Sequence, residues 1–179
     1  KTKLISISHV SNTLGTINPI SEIIKEARKV DAKILVDGAQ AASHISIDVQ
    51  KIDADFYCFS AHKIYGPTGV GILYGKEDVL NELPPYQGGG EMIKEVYLEK
   101  SVYADIPHKF EAGTPNIAGV IATKNAIQFI KNIGLNNIFN HEAELLEYAT
   151  DKMQSINGMK IYGTSKYKAG IISFNIKNI

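Results

Sequence analysis

Two polar segments of the sequence, residues 37–40 (Asp-Gly-Ala-Gln) and 60–63 (Ser-Ala-His-Lys), each follow an apolar run. A lysine amine such as that of Lys63 forms an imine with an aldehyde when burial or neighbouring positive charge activates it. A carboxylate such as Asp37 can keep a pyridine nitrogen protonated, so that the ring accepts electrons. Chemistry on pyridoxal 5′-phosphate (PLP) requires both groups. We therefore predict a PLP site, with Lys63 as the imine-forming lysine and Asp37 as the partner of the ring nitrogen.

Three further side chains in the same segments complete the predicted site. Gln40 can donate an amide hydrogen to the phenolic oxygen of the cofactor, and Ser60 and His62 provide donors for its phosphate. Two members of the set also have ordinary alternatives, since Asp37 can cap the turn that follows it and Lys63 can be a solvated surface lysine. The presence of the whole set in two short segments favours the cofactor site.

Other chemical motifs in the sequence are incomplete. Residues 66–71 are rich in glycine, but they lack the Gly-Lys-Ser/Thr ending of a nucleotide-binding P-loop. His141-Glu142 matches the start of a zinc-protease helix, but the motif fails because position 145 is Leu. We interpret Cys58, which lies inside the apolar run 56–59, as a structural residue. Three isolated histidines are also interpreted as structural: His9, His44 and His108. For His9, which lies close to Asn12, the alternative is a residue that supports the side chains of the site. The sequence therefore predicts no metal site.

Short apolar runs alternate with helical patterns along the chain. Strands are predicted at 4–8, 34–37, 56–60 and 70–74, the last of them antiparallel. Helices are predicted from Pro19, at 117–133 and at 136–155, and a further strand from Met159. This alternation is typical of an α/β fold with a largely parallel sheet, in which ligands bind beyond the carboxyl ends of the strands. Asn12, Asp37 and residues 60–63 all follow predicted strands, so we expect them to meet at one rim.

The burial of individual residues can also be predicted. Asp37 directly follows a buried apolar run, so we expect its carboxylate to be partly buried. In the helix at 117–133, one face contains four apolar residues: Ile121, Ala122, Ala126 and Phe129. We expect this face to point towards the core.

The composition limits the partners and the location of the protein. Lys and Arg total 19, as do Asp and Glu, and this balance removes the electrostatic argument for nucleic acid or an anionic membrane. No stretch approaches the ~20 apolar residues of a membrane span. The single cysteine excludes an intrachain disulfide, which fits a reducing compartment. We expect a cytoplasmic location, or a plastid-type organelle if the source is eukaryotic. The sequence does not begin with Met and stops just after an apolar run, so we expect a piece of a longer protein.

The sequence resembles the class V aminotransferase family of PLP enzymes, and within that family the SufS-like cysteine desulfurases. The motifs that carry the resemblance occur in the family's order: 9–12 (HVSN), 37–40 (DGAQ), 60–69 (SAHKIYGPTG), 87–93 (QGGGEMI) and 110–116 (FEAGTPN). Thr68 is similar to the SufS-like group rather than to the NifS/IscS-like group. The likeness spans nearly the whole chain.

The resemblance implies a fold and a set of roles. The fold is type I of the PLP-dependent transferases, a mixed, mostly parallel sheet with flanking helices. Residues 1–156 would be part of the large PLP-binding domain and residues 157–179 the truncated start of the small C-terminal domain. The implied cofactor-binding residues are Asn12, Asp37, Gln40, Ser60, His62, Lys63 and Thr114. Thr114 would reach the phosphate of the neighbouring subunit, which implies a homodimer.

The resemblance also implies a reaction. L-cysteine is converted to L-alanine, and an enzyme persulfide carries the sulfur to an acceptor protein for iron–sulfur cluster assembly. In the family, a ring-stacking histidine would precede Lys1, and the persulfide cysteine and the substrate-binding arginines would follow Ile179. We therefore expect this piece to be inactive alone. The alternatives are a selenocysteine lyase, another class V lyase or aminotransferase, and a non-catalytic fragment.

Overall fold

The structure is a computed structural model that describes residues 1–177. Within these residues the strands are β1 Leu4–Ser8, β2 Lys33–Asp37, β3 Phe56–Ser60, β4 Gly71–Gly75, β5 Ile93–Val96, β6 Ser101–Tyr103, β7 Met159–Tyr162 and β8 Ser173–Ile176. The α-helices are α1 Ile20–Arg28, α2 Val49–Ile52, α3 Glu77–Glu82, α4 Ile117–Ile133 and α5 Leu135–Gln154. The predicted α/β fold is confirmed.

The main sheet has the strand order β1-β2-β3-β4. The first three strands are parallel, and β4 is antiparallel to β3, as the sequence predicted. Ser8 pairs with Asp37, and Asp37 pairs with Cys58, two residues before the end of β3. The carboxyl ends of three consecutive strands therefore lie side by side.

One face of this sheet forms the main core. Ile34, Val36 and Tyr57 are almost completely buried and belong to one hydrophobic cluster with the buried residues of α1. Ile20 and Ile24 of α1 are buried at helical spacing, whereas the charged residues of the helix lie on its exposed side. Burial of this apolar surface fixes α1 across the parallel strands and so sets where their ends lie.

The bounds predicted for α4 are confirmed, but of the four residues of its predicted face only Ala126 is buried. Ile121 and Phe129 are more than half exposed, and the buried positions are Gly119, Thr123, Ala126 and Ile130. A side chain at position 119 would meet Val70, so the glycine allows close packing. The Thr123 hydroxyl donates to the Gly119 carbonyl, which allows this polar residue to be buried.

The last part of the described chain forms a separate two-stranded sheet, in which β7 and β8 pair antiparallel. Thr16 bridges Lys168, which joins the segment between α5 and β8 to the turn after β1. The domain boundary at 156 stays a prediction, and residues 178–179 of the second predicted domain lie outside the described residues. None of the helices between residues 1 and 177 is long and apolar enough to cross a membrane.

Candidate active site

Adjacent strand ends bring the predicted site segments to one rim of the sheet. The backbone N–H of His9, just after β1, donates to the Asp37 carbonyl at 2.8 Å. The Gly38 N–H donates to the Cys58 carbonyl at 2.7 Å, which ties the segment after β2 to β3. Ser60 is the last residue of β3, so the segment 60–63 begins at the same rim.

Lys63 lies in a tight 3-10 turn, Ala61–Ile64, that directly follows β3. Ala61 and Ile64 are buried, whereas Lys63 is half-buried and His62 is exposed. The Gly66 N–H closes the turn onto the Ala61 carbonyl at 2.8 Å. The buried residues thus anchor the turn and leave Lys63 and His62 accessible at its surface.

Asp37 is exposed, so the prediction that it is partly buried is wrong. Because side chains alternate along a strand, burial of Val36 in the main core places Asp37 on the opposite face. Its Oδ1 accepts a hydrogen bond from the Ala39 N–H at 2.8 Å, which is the turn-capping contact expected as an alternative. Within residues 1–177, Oδ2 of Asp37 has no hydrogen-bond partner, so this contact leaves one oxygen for a cation.

Tyr57 lies directly beneath the segment that carries Asp37. A Cβ on Gly38 would fall 2.0 Å from the Tyr57 ring, so only glycine fits at position 38. The Tyr57 hydroxyl lies 3.0 Å from Nδ1 of His9. Burial, followed by the nearby charge of Asp37, raises the pKa of Tyr57, and burial lowers the pKa of His9.

Two histidines that are isolated in the sequence have partners in the structure. His9 contacts Tyr57, and Nδ1 of His44 lies 2.8 Å from the carboxylate of Glu142 on α5. Sequence reasoning missed both pairs because their partners are 48 and 98 residues away. The inward direction of Tyr57 could have been predicted, because side chains alternate along β3 and Tyr57 shares with Phe59 the face that points towards the core.

The other predicted site residues are placed as follows. Gln40 is half-buried in the turn after Asp37, and Asn12 is exposed in the turn after β1. Thr114 is exposed in the loop before α4, and within residues 1–177 it forms no hydrogen bond with the other predicted site residues. The structure therefore places Asp37, Gln40 and residues 60–63 at one rim, with Asn12 in the turn beyond β1, and within residues 1–177 it gives Thr114 no hydrogen bond to them. The roles of all these residues stay predictions.

The residues at the rim fit PLP by their chemistry. Within residues 1–177 they offer a half-buried lysine, Lys63, a carboxylate oxygen of Asp37 without a hydrogen-bond partner, and hydroxyl and imidazole donors on Ser60 and His62. These groups match an aldehyde, a protonated ring nitrogen and a phosphate. They also stand at the carboxyl ends of parallel strands, where α/β sheets bind ligands.

Comparison with known proteins agrees with this chemistry. The family model described as aminotransferase class-V matches residues 1–179, and the chain belongs to this family. A probable cysteine desulfurase of Halalkalibacterium halodurans is 50% identical over 179 residues, which are 100% of this chain and 44% of the relative. The chain therefore spans less than half the length of this relative.

Solved structures extend the comparison to the fold and the cofactor. The apo structure of a cysteine desulfurase from Thermococcus onnurineus NA1 matches with a TM-score of 0.93 and 38% identity, over 99% of this chain and 45% of that one. A C-DES variant with glycine covalently linked to its PLP cofactor matches with a TM-score of 0.88 and 27% identity, over 99% and 48% of the two chains. The predicted class V aminotransferase family and its fold are confirmed, and the PLP of the C-DES variant agrees with the predicted cofactor.

Proposed function

We propose that the longer protein to which this chain belongs is a PLP-dependent cysteine desulfurase. The observation that carries the proposal is the position of the Lys63 turn beside Asp37, at the ends of adjacent parallel strands. The relative that is 50% identical over the whole chain, named a probable cysteine desulfurase, supports the substrate. L-cysteine is converted to L-alanine, and the sulfur leaves as a protein persulfide.

Each residue at the rim has a separate task in this proposal. Lys63 would hold the cofactor through its aldehyde, and the Asp37 carboxylate would keep the ring nitrogen protonated. Ser60 and His62 would bind the phosphate, and Gln40 would bind the phenolic oxygen. The bound cofactor supplies an electron-accepting ring that stabilises negative charge on the substrate.

The overall reaction balances with one additional thiol. The carbon–sulfur bond of cysteine breaks, a sulfur–sulfur bond forms with a cysteine thiolate of the protein, and the substrate carbon takes up a proton. Transfer of the sulfur to an acceptor protein for iron–sulfur cluster assembly is the role we propose for the persulfide. Thr68 and the motif order support assignment to the SufS-like group. We further propose a cytoplasmic homodimer in which Thr114 contacts the phosphate bound by the partner subunit.

The decisive experiment identifies the lysine that holds the cofactor. The full-length protein is incubated with PLP and reduced with borohydride, and the modified residue is mapped by mass spectrometry. We expect a phosphopyridoxyl group on Lys63, no labelling of that peptide in Lys63→Ala, and unchanged labelling in Lys124→Ala, which removes an exposed lysine of α4. Labelling scattered over several lysines would contradict the proposed site.

Product analysis tests the reaction separately from the site. L-alanine formed from L-cysteine supports a desulfurase, whereas pyruvate would identify a β-lyase. Activity restricted to selenocysteine would identify a selenocysteine lyase. PLP bound at Lys63 without any of these products would indicate another class V reaction.

A further inference from the structure

We propose that His9 and Tyr57 form a positioning pair that holds residues 37–40 in the conformation that binds PLP. This inference rests on the proposed function, because it concerns the same cofactor site. It assigns a task to two residues outside the predicted set of cofactor-binding residues.

The first observation is the contact between Tyr57 and the segment after β2. Tyr57 is 2% exposed, and its ring fills the space where a Cβ of Gly38 would lie. Position 38 separates Asp37 from Ala39, whose N–H binds the Asp37 carboxylate. The ring is therefore a rigid support under the backbone that aims this carboxylate.

The second observation is the hydrogen bond that fixes the ring. The Tyr57 hydroxyl lies 3.0 Å from Nδ1 of His9, and within residues 1–177 it has no other hydrogen-bond partner. If Nδ1 were the donor, the buried hydroxyl proton would have no acceptor, which is costly. Tyr57 therefore donates to Nδ1, and the neutral His9 ring has its proton on Nε2.

The third observation is that His9 itself is tied to the same segment. Its backbone N–H donates to the Asp37 carbonyl, and its backbone carbonyl accepts from the Asn18 N–H, both at 2.8 Å. The pair thus links the ends of β1 and β2 to the middle of β3. Loss of the side-chain hydrogen bond frees the Tyr57 ring to shift, and the Gly38 backbone above it shifts with the ring.

Tyr57→Phe in the full-length protein tests the inference, because this change removes the hydroxyl and keeps the ring. The dissociation constant for PLP is measured by titrating the apoprotein and following absorbance. We expect about 3- to 10-fold weaker binding, the effect of losing one buried hydrogen bond. Tyr74→Phe is the matched control, because Tyr74 pairs with Tyr57 across the β3–β4 ladder and packs against the same core. We expect Tyr74→Phe to bind PLP like the wild type.

Variants of His9 separate positioning from simple packing. His9→Leu is expected to weaken PLP binding like Tyr57→Phe, and the double variant is expected to be no worse than either one. His9→Gln, which restores an acceptor for the hydroxyl, is expected to recover part of the affinity. Urea unfolding of each apoprotein provides the stability of the fold independently of the cofactor.

The outcomes distinguish failure of the pair from failure of the cofactor site. If Tyr57→Phe and His9→Leu lower only the urea midpoint and leave the PLP dissociation constant unchanged, the pair is ordinary core packing and the inference is overturned. If the double variant weakens PLP binding by the sum of the two single effects in free energy, His9 and Tyr57 are not coupled. Wild-type protein that binds no PLP would overturn the proposed function, and the positioning role with it.

Discussion

Cys58 is the single cysteine within the 179 residues, and its surroundings make its thiol a poor nucleophile. Burial raises the pKa of this thiol, and the nearby Asp37 carboxylate raises it further. The thiolate is the reactive form, so both effects oppose persulfide chemistry at this position. The position of Cys58 within β3 also prevents the movement that a sulfur carrier needs.

We therefore expect Cys58→Ala in the full-length protein to retain cysteine desulfurase activity within about two-fold, since the reaction barrier does not involve this side chain. Alanine formation from L-cysteine, measured at saturating PLP, checks the prediction. Lys63→Ala in the same assay provides the inactive reference. Loss of persulfide formation in Cys58→Ala would show that this thiol is the sulfur carrier after all.

At the residue scale, the kind of site could be predicted more completely than the burial and the contacts of its residues. The types and order of Asp37, Gln40 and Lys63 were enough to predict a cofactor and a rim. The exposure of Asp37 was not predicted, because an apolar run before a residue does not tell which face that residue occupies. The contact between His9 and Tyr57 depends on strand register, which no local pattern contains.

At the element scale, a carboxylate at the opposite end of the sheet joins three elements. Oδ2 of Asp55 accepts hydrogen bonds from Arg28 at the end of α1 and from the Ile34 N–H of β2, both at 2.7 Å. The Asp55 side chain is 3% exposed and lies just before β3. Burial alone would raise the pKa of Asp55, but these hydrogen bonds outweigh burial and lower it.

We expect Asp55→Asn to lower the free energy of unfolding by about 1–2 kcal/mol at pH 7, because it weakens a charge-assisted hydrogen bond. The folded-state pKa is below the ordinary value of 3.8. The stabilisation is therefore fully present above that value and is lost as the pH falls through the folded-state pKa. The difference between wild type and variant should accordingly shrink at pH 3.

Urea unfolding of the full-length protein at pH 7, 4 and 3 measures this difference. Glu26→Gln is the control, because its ion pair with Lys29 is exposed on both sides, and we expect a change within about 0.5 kcal/mol. A stability loss in Asp55→Asn that is equal at pH 7 and pH 3 would show that the charge of Asp55 has no part in it.

The elements themselves could be predicted where their patterns are strong. All four strands of the main sheet and the bounds of α4 follow from apolar runs and helical spacing. The buried face of α4 was predicted only at Ala126, because Gly119 and Thr123, which are also buried, carry no hydrophobic signal. The local pattern gives no signal for the β5–β6 hairpin, because its short strands are mostly exposed and lack clear alternation.

At the scale of the whole molecule, the two faces of the main sheet are unequal. The face that contains Ile34 and Val36 is covered by α1, whereas Leu4 and Leu73 on the other face are more than half exposed. These two leucines line an open cleft of about 450 Å³, together with Leu35 and Phe56. Sheets with parallel strands are normally covered on both faces. The chain spans less than half of its relatives, so we expect further parts of the longer protein to cover this face.

The prediction at this scale compares the 179-residue chain with the full-length protein. We expect the shorter chain to bind more of the dye ANS, because the cleft around Leu4 and Leu73 is accessible in it. We also expect it to form no L-alanine from L-cysteine, since its single thiol, Cys58, is unsuited to accept sulfur. Both proteins are assayed at equal concentration with excess PLP. Alanine formation by the shorter chain would show that the residues at the rim suffice for the reaction, and equal dye binding would show that its exposed sheet face is not covered in the longer protein.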